Sequence, residues 1–331
     1  MELHVSLKEK SYDIILERGA LDHVCDYINL DRKVLIITDD GVPTQYVKRL
    51  LLQCKYGFVE TVKQGECAKS FSTFEFLCSK LLEFNFSRKD LIIAVGGGVM
   101  GDLAGFVAAS YMRGIEFCNI PTTTLSQIDS SIGGKVAINL NGVKNIIGAF
   151  YQPSVVIIDH DTLKTLPKRH FNNGLIEAVK AGLIYDKVLY ELFCGENELS
   201  IDDIIYRSLL VKKDVVEQDE KEQNLRQILN FGHTIGHGVE SLYGLSGLLH
   251  GEAVAIGMLP MIEDETIRKS LMKLYDRLSI KGNIDYDKNN LYDVMTRDKK
   301  SNGNKITIVK VKEIGKAVLC EIDKEELKNY I

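Results

Sequence analysis

Hydrophobic positions in the first half of the chain come in short runs of two kinds. Residues 2–7 and 12–16 alternate apolar with polar side chains, the pattern of a hairpin at a sheet edge. Val34-Leu35-Ile36-Ile37 and Leu91-Ile92-Ile93-Ala94-Val95 are unbroken apolar runs, as expected of strands buried on both faces. Residues 57–62 read as another strand. Between these runs the spacing turns helical. A helix is expected to open at Val42-Pro43, because proline suits a first helical turn. Residues 70–84 place Phe71, Phe74, Leu77, Cys78 and Leu81 on one helical face. Strand, helix, strand, helix in this order predicts a parallel sheet covered on both sides.

After Val155-Val156-Ile157-Ile158 the apolar spacing becomes mainly helical, with helices expected over 174–195, 202–217, 225–242 and 251–273. Lys305-Ile306-Thr307-Ile308-Val309 and Ala317-Val318-Leu319 suggest a small closing strand pair. No internal repeat is visible. The pattern divides the chain into an α/β domain over residues 1–158 and a mainly helical domain over 159–331, and a length of 331 residues suits two domains.

With 45% hydrophobic and 26% charged residues, the chain can build real cores. A net charge of -5 gives no basic stripe for nucleic acid, yet a few lysines can still converge on a small anion. The seven cysteines, Cys25, Cys54, Cys67, Cys78, Cys118, Cys194 and Cys320, form no C-x-x-C pair and read as free thiols in a reducing compartment. The opening segment lacks the apolar centre of a signal peptide, and no apolar run is long enough to span a bilayer. A cytoplasmic protein without membrane or nucleic-acid partners is expected.

Two segments carry candidate chemistry. Gly96-Gly97-Gly98-Val99-Met100-Gly101-Asp102 follows the strand at 91–95 and fits G-x-G-x-x-G ahead of a helix. Such a turn lets backbone amides approach phosphate oxygens, although glycine turns also serve tight packing. Its place is unusual, since a dinucleotide fingerprint ordinarily follows the first strand of its unit. The second segment holds His233 and His237, four apart and so on one helical face, with His250 following. Two histidines and a carboxylate with an open position make a catalytic zinc pattern. Thr234 stands where a zinc protease has its glutamate, which disfavours proteolysis. Hydrogen-bonded histidines in a glycine-rich packing region are the alternative.

Several motifs together resemble the 3-dehydroquinate synthase family: GGGVMGDLAGFVAASYMRG, PTTTLSQIDSSIGGKVAINL, GVKNIIGAFYQP, GLIEAVKAGLI, LNFGHTIGHGVE and HGEAVAIGM, in that order from about residue 90 to 260. The resemblance implies an α/β N-terminal nucleotide-binding domain and a mostly α-helical C-terminal metal-binding domain. It implies NAD and Zn2+ as cofactors, with Co2+ as a substitute. Glu177, His233 and His250 would be the metal ligands, with His237 in a proton-handling or supporting role. The NAD set would be Asp39, Glu66, Lys69, Gly97, Gly98, Val99, Asp102, Thr122, Thr123, Asp129, Lys144, Thr165 and Leu166. Substrate contacts would come from Arg113, Asp129, Lys135, Asn145, Lys180, Lys212, Arg226, Asn230, His237 and one or both of Lys299 and Lys300. The catalytic set would be His237, Lys135, Asn145 and Asp129 from these, together with Glu222. Arg113 would reach the neighbouring subunit's site, which implies a homodimer.

The reaction so implied converts 3-deoxy-arabino-heptulosonate 7-phosphate to 3-dehydroquinate and phosphate, within the shikimate pathway. A ring hydroxyl is oxidised with transient reduction of NAD, and phosphate leaves by elimination, the substrate's own phosphate serving as base. Re-reduction, ring opening and an intramolecular aldol complete the cycle. Such a phosphorylated sugar acid has two anionic ends, which call for several placed cations. Two positions depart from the family pattern. His170 stands where glutamate is usual near the adenosine side of NAD, and Val136 where threonine is common. Competing readings are another sugar-phosphate cyclase, a non-catalytic NAD- or metal-binding paralogue, and a metal-dependent polyol dehydrogenase.

Overall fold

The computed structural model describes residues 1–195, 198–243, 247–296 and 304–331. By its internal contacts the chain forms two units, Met1–Pro167 and Lys168–Ile331.

The runs read in the first unit, together with a stretch at Glu116–Pro121 that the pattern did not mark, become strands of one seven-stranded sheet. These are β1 (Glu2–Val5), β2 (Tyr12–Leu16), β3 (Lys33–Asp39), β4 (Tyr56–Val62), β5 (Leu91–Gly96), β6 (Glu116–Pro121) and, after a separate hairpin, β9 (Val155–Ile158). Their order across the sheet is β1-β2-β9-β6-β5-β3-β4, parallel throughout except for the β1–β2 hairpin at the edge. Side chains alternate between faces, so Val34, Ile36, Ile93 and Val95 enter one core while Leu35, Ile37, Ile92 and Ala94 enter the other. Helices α1 (Val24–Tyr27), α2 (Thr44–Leu51), α3 (Phe71–Glu83) and α4 (Gly98–Ser110) supply the covering layers. In α3, Leu77 and Leu81 are buried as expected, but Phe71 is exposed. It is the first helical residue after Ser70, whose hydroxyl caps the helix by accepting from Thr73 N at 3.2 Å.

The hairpin of β7 (Lys135–Leu140) and β8 (Val143–Phe150) has no counterpart in the pattern-based reading. Along β8 every residue is exposed or half-buried, so no fully buried face marks the strand.

The second unit contains α5 (Lys168–Ile184), α6 (Lys187–Cys194), α7 (Ile201–Gln218), α8 (His233–Tyr243), α9 (His250–Met258), α10 (Glu265–Leu278) and α11 (Lys288–Thr296) among its described residues. An antiparallel pair, β10 (Lys305–Glu313) and β11 (Lys316–Asp323), lies where the closing strands were expected. Three of the expected long helices are divided. The 174–195 stretch breaks at Asp186, which caps α6 by accepting from Leu189 N at 3.2 Å. The 251–273 stretch breaks at a turn holding Pro260, and Asp264 caps α10. The 225–242 stretch is a 3-10 segment, Leu225–Asn230, that ends before Gly232 at φ 76, and α8 starts anew at His233.

Candidate active site

In the second unit three ligand-type side chains converge. Glu177 lies within α5, His233 opens α8 and His250 opens α9. One ligand atom of each lies within 4.8 Å of the others. Glycine permits this convergence. A Cβ on Gly257 would sit 2.0 Å from Gly232 O, and one on Gly251 would sit 2.1 Å from Asn173 O. α9 thus meets the segment entering α8, and α5, at distances no side chain allows.

His233 Nδ1 donates to Phe231 O at 3.0 Å, which leaves its Nε2 as the lone-pair nitrogen. That Nε2 is 3.8 Å from Glu177 Oε1, and His250 Nε2 is 3.5 Å from the same oxygen. Both Glu177 oxygens are buried without a hydrogen-bond donor in line, and Lys180 forms an ion pair with Oε2. A buried carboxylate short of donors and facing two imidazole nitrogens is a donor set for a cation, two nitrogens and an oxygen.

Burial opposes the charge on Glu177, but Lys180 and the two histidines outweigh it and hold the carboxyl well below its usual range. Burial and Lys180 drive His233 well below its ordinary value. Burial also pulls on His250, yet Glu177 and Glu240 lift it to about 9. In the metal-free protein at neutral pH, His233 is therefore neutral and His250 carries a proton. Ligation must displace that proton. Zinc affinity is expected to climb about tenfold per pH unit on approaching pH 9 and then level off. Calorimetric titration in buffers of different ionisation enthalpy measures this, and binding without proton release would contradict it.

Beside the trio Lys180 is buried, and elsewhere in the same unit so are Lys212 and Arg226, at 2%, 9% and 1% exposure respectively. Long cations are rarely buried without a charged partner or role. α7, which carries Lys212, packs on α5 and on the 225–230 segment with Arg226 and Asn230. Asn230 Nδ2 donates to Glu222 Oε1 at 2.7 Å, and Glu222 has φ 59. His237 is exposed, its ring centroid 5.2 Å from that of His233.

In the first unit, the glycine turn lies where the strand order reverses. β4 lies on one side of β3 and β5 on the other, so the carboxyl ends of β3 and β5, at Asp39 and Gly96, border the reversal. Open α/β sheets bind ligands at that crevice. The late position of the glycine turn follows, since β5 rather than the first strand borders the reversal. α4 begins at Gly98, and its first amides lack acceptors within the helix. A Cβ on Gly98 would meet Ser130 Oγ at 2.7 Å, and one on Gly97 would meet Thr123 Cγ2 at 3.1 Å. Val99 and Asp102 follow on α4, while Thr122 N donates to Gly96 O at 2.9 Å. Asp39 Oδ1 accepts from Gly41 N at 2.8 Å, and burial raises its carboxyl. Thr165 Oγ1 is 2.9 Å from Tyr46 Oη, and Leu166 follows it.

Lys69, 3% exposed, gathers three expected site residues. Its Nζ donates to Asp102 Oδ2 at 2.7 Å, bonds to Asn145 Oδ1 and lies 3.4 Å from Glu66 Oε1. Burial pushes the Asp102 carboxyl up to about 6 against the pull of Lys69. Asn139 ties the group together: its Nδ2 donates to Glu66 Oε1 at 2.9 Å, and its Oδ1 accepts from Asn145 N at 2.8 Å, with Asn145 at φ 57. Asp129 lies in a π-helical turn, Ser126–Ser130, Lys135 opens β7, and Lys144 is exposed on β8. Arg113 is exposed on the turn after α4, at φ 66. His170 is exposed in the first turn of α5, and Val136 is buried against Gly105. Lys299 and Lys300 lie outside the described residues.

Two residues of these clusters went unread in the sequence. Glu240 stands three residues after His237 on α8, a spacing that could have signalled it. Asn139 carried no such signal, because its role depends on the β7–β8 register.

An α/β unit with a glycine turn at its strand-order reversal, joined to a helical unit with a Glu/His/His trio, defines a dehydroquinate synthase-like protein. The 3-dehydroquinate synthase N-terminal family model matches residues 59–173 and the C-terminal one residues 174–301. The 3-dehydroquinate synthase of Lactococcus lactis subsp. cremoris (strain MG1363) is 44% identical to this chain, covering 100% of it and 99% of that protein. The chain belongs to the 3-dehydroquinate synthase family. Among solved structures, a 2-epi-5-epi-valiolone synthase from Streptomyces hygroscopicus subsp. jinggangensis 5008 with NAD+ and Zn2+ bound superposes with TM-score 0.88, at 26% identity over 98% of this chain and 97% of that one. A 2-deoxy-scyllo-inosose synthase complexed with carbaglucose-6-phosphate, NAD+ and Co2+ gives TM-score 0.87 at 24% identity, over 99% and 98% of the two chains, and shares the fold.

Proposed function

We propose that the chain is a 3-dehydroquinate synthase, converting 3-deoxy-arabino-heptulosonate 7-phosphate to 3-dehydroquinate with loss of phosphate. The observation that carries this reading is 44% identity to a 3-dehydroquinate synthase across the full chain, against 26% to the valiolone synthase. In this reading Glu177, His233 and His250 hold zinc, or cobalt in its place. Asp39, the Gly97-Gly98 turn, Lys69 and Asp102 hold NAD. When bound, the metal polarises a substrate hydroxyl, and the dinucleotide takes up and returns a hydride, so no net oxidation results.

The chain's own residues supply orientation and charge. Lys180, Lys212 and Arg226 are buried, where weak screening strengthens their hold on an anionic substrate. Asn230 is fixed by Glu222 and presents its amide in one orientation. His237 is exposed beside His233 and serves to move a proton. Supplied with the sugar phosphate, NAD and zinc, the protein is expected to release phosphate without accumulating NADH, and a chelator is expected to stop it. Accumulating NADH would instead mark a dehydrogenase.

We also propose a homodimer in which Arg113 serves the neighbouring subunit's site. Its exposed turn supports this, as do the exposed Val143, Ile146 and Phe150 of β8. An Arg113→Ala chain mixed with a His250→Ala chain is expected to regain about a quarter of wild-type turnover on random assortment, one working site per mixed dimer. No recovery would remove the shared site. A cytoplasmic setting agrees with seven unpaired cysteines, and no described helix is long and apolar enough to cross a membrane.

A further inference from the structure

His250 belongs to two overlapping groups of ligand-type side chains. One is Glu177, His233 and His250, and the other is His237, Glu240 and His250. The two ring nitrogens of His250 serve different groups. Its Nε2 lies 3.5 Å from Glu177 Oε1, and its Nδ1 lies 3.5 Å from Glu240 Oε2. A single ring cannot offer a lone pair from one nitrogen and a proton from the same one, so the partner of Nδ1 decides what Nε2 presents. His233 faces the same choice, and there the Phe231 carbonyl accepts a hydrogen bond from Nδ1–H, with N···O 3.0 Å.

We propose that Glu240 is a positioning residue for the metal centre: it accepts a hydrogen bond from Nδ1–H of His250, so that the proton a cation displaces is the one on Nε2 and the lone pair freed there lies on the Glu177 side. This rests on the metal site assigned above to Glu177, His233 and His250. Burial separates the two groups. Glu177 is 1% exposed and its oxygens lack aligned donors, whereas His237 is exposed and Glu240 is half-buried. The buried group therefore takes the cation, and the outer group supplies the acceptor that orients it. A carboxylate behind a ligating imidazole fixes its ring and raises its basicity, and losing such a partner costs about 10- to 100-fold in metal affinity.

The test is zinc affinity of the full-length protein by competition with a chromophoric chelator, alongside the melting temperature of the metal-free form. Glu240→Ala is expected to weaken zinc about 10- to 100-fold while the metal-free melting temperature stays near wild type. Glu240→Leu, which fills the site without an acceptor, is expected to match it and carries the test should the alanine variant fail to fold. Glu240→Gln keeps a carbonyl acceptor and is expected to recover most of the affinity. Unchanged affinity in the alanine and leucine variants would overturn the role of Glu240. Two controls keep the underlying site distinct. Glu177→Ala is expected to lose zinc and His237→Ala to retain it. If His237→Ala loses zinc and Glu177→Ala retains it, the cation sits on the outer group, and both the site assignment and this proposal fall. If Glu177→Ala alone loses zinc and every Glu240 variant binds normally, the site stands and the proposal falls.

Discussion

Glu177→Ala is expected to abolish turnover and zinc content together. The change removes the only carboxylate of the buried trio and leaves two imidazoles, too few to hold zinc in a catalytic site. It also strips Lys180, 2% exposed, of its ion pair. Breaking a buried pair from one side costs about 3–5 kcal/mol. Metal content by elemental analysis, phosphate release and thermal melting separate these effects. Glu177→Gln keeps the shape, so it should melt closer to wild type than the alanine variant yet still lose metal. A metal-loaded, active Glu177→Ala protein would refute the ligand assignment.

Lys69→Met is the second substitution with a large expected effect. Lys69 is the common cation of Asp102, Glu66 and Asn145, and methionine keeps much of its stem without the charge. NAD affinity is expected to fall about tenfold or more. Stability is expected to fall too, with a pH signature. In the wild type the Asp102 carboxyl sits at about 6, raised by burial and restrained by Lys69. Without Lys69 it rises further, so the folded variant holds a proton that the folded wild type has released. The deficit is therefore smallest below pH 6 and widens as the pH climbs above it. Urea midpoints at pH 5.5 and pH 8 read this directly. An equal deficit at both would mean that Asp102 does not feel Lys69.

Six of the seven strands in the main sheet of the first unit were legible from apolar or alternating runs, whereas β6, Glu116–Pro121, with its polar Glu116 and Asn119, went unread. The long helices were legible as helical but not as separate pieces. Apolar phase carries across the breaks at Asp186, Gly232 and Pro260, although Asp186 and Asp264 are cap residues a finer reading could have used. The glycine turn was visible as a phosphate-type motif. Its late position made sense only with the strand order, which no local pattern encodes. His233, His237 and His250 stood out by spacing, whereas Glu177 entered through family resemblance, since nothing local marks one buried glutamate of α5 as a candidate ligand. The grip of Asn139 on Asn145 needs both a left-handed backbone and a hairpin register, neither readable from composition or period.

The contacts at Gly251 and Gly257 have a mechanical meaning. Where helices touch through main chain, the spacing of the side chains they carry is set like a gauge block, with no rotamer to take up slack. Metal coordination tolerates errors of only about 0.2 Å. A single methyl at Gly257 would fall 2.0 Å from Gly232 O, so α9 or the backbone just before His233 would have to shift by more than that tolerance. The surrounding leucines and valines can be exchanged and repacked at modest cost. The centre is thus calibrated by atoms that are missing.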